Sequence, residues 1–405
     1  MGRLRGFVEF DITNVMKTKS EMMRALLASA EAEQAWMLAR MEELVRVESP
    51  SESKAGVDEA AALVAGWSAA LGGRAKRHRQ KEHGDLLEVR FGRARAGQKP
   101  VLLLGHLDTV WPVGTLARMP WRVDKGRAEG VRAWGPGVLD MKAGVAMAMA
   151  AVRLLREAGL RARPMVLLLN SDEEIGSPVS RAVTERIAAE CEAVFVMEPA
   201  QGLAGAYKTA RKGVGDYRLA VKGVAAHSGV DFGKGHSAVL ELGRLLGKVS
   251  GFTDLKRGIT VNPGVIGGGT RSNVVAAEAW AEVDVRIAKM GDAARVERMF
   301  RGLRCEDKGC SLTVTGGMNR PPMERKAGTV ALFRQARGMA AEMGFALEEA
   351  ATGGGSDGNF TAALGIPTLD GMGAVGEGAH AEHESLLLEH LAPRTELLAG
   401  MLLEG

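Results

Sequence analysis

The chain has 405 residues, of which 46% are hydrophobic and 25% charged; this is a globular composition, and the length exceeds what one core usually serves, so two domains are expected. Lys and Arg number 53 against 49 Asp and Glu, and only 4% of residues are aromatic, which argues against a nucleic-acid partner; no apolar run reaches the length of a membrane span. The three cysteines, Cys191, Cys305 and Cys310, form no CxxC pair, which argues against a disulfide framework or a thiolate metal site and favours a cytoplasmic setting.

Residues 1–20 carry charges throughout and lack the apolar stretch of a secretory signal, so they read as an extension ahead of the fold. From Ser20 to about Val47, apolar residues recur at three and four, predicting a helix, and GVDEAAALVAGWSAAL predicts a second. The basic run RAKRHRQK, Arg74 to Lys81, has no interleaved aromatic residue and reads as a solvated loop or strand edge. Strand-like runs (DLLEVRFG, VLLLG, VLLLN, AVFVM) then alternate with helical ones (KAGVAMAMAAVRLLREAG, SRAVTERIAAE), the pattern of an α/β domain with a mostly parallel sheet. Between about Thr209 and Pro321 the style changes. DYRLAVKG, TVNPGVIGG, AEAWAEVDVRI and SLTVTGG alternate as antiparallel strands around two helical segments, a separate α+β unit. Past Pro322 the α/β pattern resumes, so 209–321 reads as inserted into a larger domain made of 1–208 and 322–405.

The apolar strands end in chemistry. VLLLG runs into His106 and Asp108, VLLLN into Asp172, Glu173 and Glu174, AVFVM into Glu198, and IPTLDGMGAVGEGAH reaches His380. In an open parallel sheet the carboxyl ends share one edge, where ligands bind. Asp140 joins from the Gly-rich turn WGPGVLDMKAG. Taken singly, these residues have ordinary readings: a hydrogen-bonded loop histidine, acids favouring a helix N-terminus, an N-cap, a loop acid. His78, His83, His236 and His390 keep those readings. Joint placement at strand ends points instead to divalent metal, since zinc accepts imidazole and carboxylate and two metals bridged by one carboxylate use the whole set. Cations also offset the cost of burying several acids together.

In GHLDTVWPVGTL, WGPGVLDMKAG, NSDEEIGS, VMEP, KGVAAHSG, the run from SNVV to VDVRI, TGGGSDGNF and GAHAEHE, the sequence resembles the two-zinc aminoacylase and glutamate carboxypeptidase metallopeptidases. These segments keep the family's order from Val47 to the C-terminus, and WPVGTL and WGPG resemble its bacterial glutamate carboxypeptidase branch. The resemblance implies an α/β catalytic domain with zinc at the carboxyl ends of a mostly parallel sheet, and an inserted α+β lid that also dimerises. It implies His106 and Glu198 on the first metal, Asp140 as the bridge, Glu174 and His380 on the second, Glu173 as general base, and Asp108 orienting His106. His380 is favoured over His383 because it follows Gly-Ala four residues before Glu384. A cis Asp140–Met141 peptide is implied as well. His227 would stabilise the oxyanion, often in the partner subunit's site; Asn273, Arg286 and Arg320 would hold the substrate's polar and carboxylate groups, and Gly355 would line the site with backbone. The implied activity is hydrolysis, by a metal-bridged water, of the amide bond to a C-terminal amino acid with a free carboxylate. N-acyl amino acid deacylation and dipeptide cleavage are the alternatives. The cofactor would be two zinc ions per subunit, with cobalt or manganese as substitutes; the substrate a small peptide or N-acyl amino acid; the assembly a homodimer through the inserted domain, without nucleic-acid or membrane partners.

Overall fold

The computed structural model describes residues 32–125 and 130–404; the N-terminal extension and the first part of the Ser20–Val47 helix lie outside them. Helices Gln34–Arg46 and Lys54–Ala70 open the described chain. A six-stranded sheet follows, in the order Arg74–His78, Leu86–Phe91, Met165–Asn170, Val101–His106, Ala193–Val196, Thr368–Leu369. Its last four strands are mutually parallel and its first two join antiparallel. Met165–Asn170, Val101–His106 and Ala193–Val196 are buried at every position, which is why they read as unbroken apolar runs rather than alternating ones. The basic run supplies the outer strand, where charged side chains protect an open edge.

The parallel register fixes where the strand ends fall. His106 lies opposite Asn170, and Met197 N–H donates to Leu104 O, so the residues following all three strands emerge at one edge. Helix Ala143–Glu157 packs behind this edge, with twelve of its residues buried. Its alanines and Gly144 permit close approach: a methyl added at Gly144 would lie 2.0 Å from Met197 O. This contact presses the turn bearing Asp140 against the segment bearing Glu198.

A small antiparallel sheet, Gly376–Glu377, Ser385–Leu387, Val131–Trp134 and Arg122–Lys125, has strands of two to four residues, too short to register in a periodicity. Tyr207–Arg211 pairs in parallel with Glu349–Thr352, so the chain leaves the larger unit after Arg211. Residues 213–320 then form a second antiparallel sheet in the order Thr260–Gly268, Glu278–Ile287, Gly213–Lys222, Ser311–Arg320. Its strict alternation of buried and open positions along Gly213–Lys222 and Glu278–Ile287 reflects one face covered by helices Ala238–Ser250 and Ala293–Arg301. This unit has its own core, in which the Tyr217 ring stacks on Phe300 at 3.9 Å, an arrangement contributing about 0.5–1.5 kcal/mol beyond area burial. The two crossings between units lie side by side. Asn359, fully buried, donates from Nδ2 to Lys212 O on the way in and to Pro321 O on the way out. Among the described residues no helix is long and apolar enough to cross a membrane.

Candidate metal centre

His106, Asp140, Glu173, Glu174, Glu198 and His380 converge at the carboxyl edge of the large sheet. Asp140 stands in the middle. Its Oδ1 lies 3.2 Å from His106 Nε2 and its Oδ2 3.4 Å from His380 Nε2, one oxygen to each imidazole. Glu198 Oε1 is 3.6 Å from His106 Nε2, and Glu174 Oε2 is 3.2 Å from His380 Nε2. The donor atoms of His106, Asp140 and Glu174 all lie within 4.8 Å of one another, as do those of His106, Glu173 and Glu198. The Asp140–Met141 peptide is cis. His380 arrives by a route the sequence does not suggest. It follows no strand of the large sheet but sits in the loop between Gly376–Glu377 and Ser385–Leu387, at φ 63°.

Neighbouring groups hold these side chains in place. His106 Nδ1 meets Asp108 O at 2.9 Å and Asp108 Oδ1 at 3.4 Å, leaving Nε2 to face the acids. The Asp108 carboxylate accepts from Ser51 Oγ and from the backbone N–H groups of Glu173 and Glu174, so it aligns the acidic turn as well as the imidazole. Asp172 turns away, accepting from Val179 N and Ser180 N. Glu384, 1% exposed, accepts from Trp111 Nε1, Gly137 N, Leu139 N and Asp140 N. One carboxylate thereby joins the WPVGTL, WGPG and GAHAEHE segments, a function that the fourth-residue spacing from His380 already hints at. Arg211 donates from Nε and Nη2 to the two carboxylate oxygens of Asp370, and its Nη2 lies 3.4 Å from Glu198 Oε2. Ser51, Arg211 and Asp370 carry no signal in the sequence, because burial of a polar partner leaves no periodicity.

The electrostatics match a cation-binding cluster. Burial pushes the Glu173 carboxyl well above the usual carboxylate range, Arg320 opposing and Asp357 and Glu198 reinforcing the rise. Burial, against the hydrogen bond from His380 and with repulsion from Asp140, raises Glu174 to about 7. His106 is pulled down by burial, yet its bonds to Asp108, Asp140 and Glu198 outweigh this and hold it well above an ordinary imidazole. Glu174 Oε1 is buried without a hydrogen-bond partner. Two imidazoles, three or more carboxylates and an orphaned buried oxygen are the donor set a pair of divalent ions requires, so the residues fit the metals the sequence implies.

Of the other predicted residues, Arg320 touches the cluster at Glu173 and the rest fall outside it. His227 and Asn273 are exposed in the smaller unit, where Ser228 N donates to Asn273 O and Gly229 N to His227 Nδ1. Arg286 makes a forked contact with Asp284 on the same strand. Gly355 offers its carbonyl to Arg211 Nη1. Arg320 is 4% exposed, and its guanidinium contacts Asp357, Ser177 and Glu173. His78 and His236 form ordinary pairs with Glu88 and Asp307.

The model of peptidase family M20/M25/M40 matches residues 102–404, a span containing every acid and histidine of this cluster. The chain belongs to that family. Carboxypeptidase G2 of Pseudomonas sp. (strain RS-16) is 29% identical over 313 residues, covering 76% of this chain and 74% of that protein. The aminopeptidase PepT of Bacillus cereus ATCC 10987 superposes with a TM-score of 0.76 at 22% identity, covering 91% of this chain and 98% of its own. The YXEP protein of Bacillus subtilis, described as a dinuclear metal binding peptidase of the M20 family, superposes with a TM-score of 0.66 at 18% identity over 92% and 98%. As an M20 member the chain is a hydrolase of peptide or amide bonds, and the fold expected from the resemblance is the fold these neighbours share.

Proposed function

We propose that this M20 hydrolase releases a C-terminal amino acid bearing a free carboxylate from a small peptide or N-acyl substrate, using two zinc ions. The observation that carries the reading is Asp140, whose two oxygens each face a different imidazole while the Glu173 carboxylate lies beside the same cluster. His106, Asp140 and Glu198 would hold one ion and Asp140, Glu174 and His380 the other, and Asp108 orients His106. Bound zinc supplies Lewis acidity and lowers the pKa of the attacking water. Glu173 takes the proton from that water at its carboxylate and returns it to the leaving nitrogen as the C–N bond breaks, a task suited to a carboxyl raised by burial. Arg286 holds the substrate carboxylate, a pairing its fork already makes with Asp284. His227 and Asn273 contribute from the smaller unit to the carbonyl oxygen and the substrate's polar groups, and Gly355 lines the cleft.

Zinc-loaded protein assayed on N-acyl and peptidyl amino acids ending in glutamate, alanine or leucine is expected to release glutamate preferentially. Preference for an N-acetyl apolar residue would move the enzyme to the deacylases, and no metal-dependent turnover on any substrate would refute the reading. The smaller unit also dimerises in this reading. Thr260–Gly268 is an open sheet edge, and Ile266 on it with Phe232 and Leu240 beside its Gly268 end are 60% to 65% exposed, an apolar edge suited to a second copy. Sedimentation is expected to give a dimer that Ile266→Lys dissociates; a monomeric wild type at micromolar concentration would overturn this. Cytoplasmic placement goes with the reading, supported by Cys191, Cys305 and Cys310 all being free thiols; recovery in an exported fraction would refute it.

A further inference from the structure

We propose that Arg320 is a positioning residue for Glu173, tying the base to the strand that carries the smaller unit, and is not a clamp for the substrate carboxylate. The proposal rests on Glu173 being the base. Arg320 ends strand Ser311–Arg320, on which the chain leaves the smaller unit, and pairs in register with Val214, on which it enters. The side chain turns inward. Nη2 lies 2.9 Å from Glu173 O, 3.0 Å from Glu173 Oε1 and 3.0 Å from Ser177 Oγ, while Nη1 donates to Asp357 Oδ1. A single nitrogen thus holds both the main chain and the carboxylate of Glu173.

Surrounding groups keep the fork in this direction. Asp357 is itself held by Asn170 Nδ2 and Ser177 Oγ, so it cannot follow a guanidinium that swings toward the cleft. The guanidinium carbon of Arg320 lies 4.8 Å from the centroid of the Phe360 ring, a cation–π contact added to a fork of donors that a lysine does not reproduce. The stem runs past Gly355, where an added methyl would lie 3.1 Å from Arg320 Cδ and 2.8 Å from Val214 Cγ2. A substrate clamp needs donors that can be reached, and Arg286 is the more open of the two: its side chain is 31% exposed against 5% for Arg320, and its fork is engaged by the part-exposed Asp284 rather than by buried partners. The residue after Arg320 is Pro321, whose carbonyl Asn359 binds together with that of Lys212. Movement of the smaller unit about these crossings therefore reaches the Glu173 carboxylate through Arg320, while Asn319 Nδ2 donates to Gly176 O further along the same turn.

The test is steady-state kinetics on zinc-loaded full-length wild type, Arg320→Met and Arg320→Lys, with zinc content measured on each and the released amino acid used as a competitive inhibitor. Loss of an outer partner that orients a working group typically lowers activity by about 10–100-fold. Arg320→Met is expected at the upper end of that range in kcat and Arg320→Lys at the lower, with KM, the inhibition constant and zinc content close to wild type. A large rise in KM and the inhibition constant with kcat retained would overturn the proposal and restore the clamp, and an unchanged kcat would overturn it too. If Arg320→Met does not fold, Arg320→Lys decides by the same split between kcat and KM. A wild type without metal-dependent turnover sinks the hydrolase reading, and this assignment with it; an active wild type with the clamp pattern sinks this assignment alone.

Discussion

Glu173→Gln is expected to cut kcat by about 100- to 10,000-fold, the usual contribution of a positioned acid–base group, while metal content stays at the wild-type level. Glutamine keeps the volume and the contact of the side-chain oxygen with Arg320, but it cannot accept the proton of the attacking water or deliver one to the leaving nitrogen. The Glu173 carboxylate lies within 4.8 Å of the His106 donor but pairs directly with Arg320, where Glu174 and Asp140 pair with His380, so its loss should not release an ion. Turnover and metal analysis on one preparation separate the two effects. Activity within a few-fold of wild type would assign the base to another residue.

Asp140→Asn is expected to remove metal and activity together. The carboxylate presents one oxygen to each histidine; an amide presents one oxygen and one N–H group, and the N–H side repels a cation. Metal content should fall from about two ions per chain to about one or fewer, the bridge being the ligand both share. Stability gives a second readout, because a ligand at about 100 times its dissociation constant stabilises the native state by about 2.7 kcal/mol. The thermal shift that zinc produces in wild type should therefore shrink in the variant. Binding of both ions with wild-type affinity would refute the bridge.

The large sheet and its acidic edge are legible in the sequence because strands buried on both faces leave unbroken apolar runs, and whatever follows such a run lies at the sheet's carboxyl edge. His106, Glu173, Glu174 and Glu198 are read in this way. The smaller unit is legible for the opposite reason, since its half-covered strands alternate. The path of His380 is hidden, because it depends on strands of two or three residues whose pairing is set by tertiary contacts. The environment of Arg320 is hidden too. A pattern of apolar residues reports which positions are buried but not which polar partner a buried charge has found, so an arginine at a strand end looks equally suited to substrate or to protein.

The adjacent crossings at Asn359 also bear on how the chain reaches this fold. To the larger unit, the segment between Lys212 and Pro321 is a loop of about a hundred residues, and closing a loop of that length rather than a two-residue turn costs about 3 kcal/mol of chain entropy. Once the smaller unit's own sheet has formed, Val214 and Arg320 are already paired, and the segment behaves as a short staple. Folding of the insertion first thus removes an entropic barrier from the folding of the body around it, and the Asn359 amide can bind both carbonyls only when the insertion has brought its ends together.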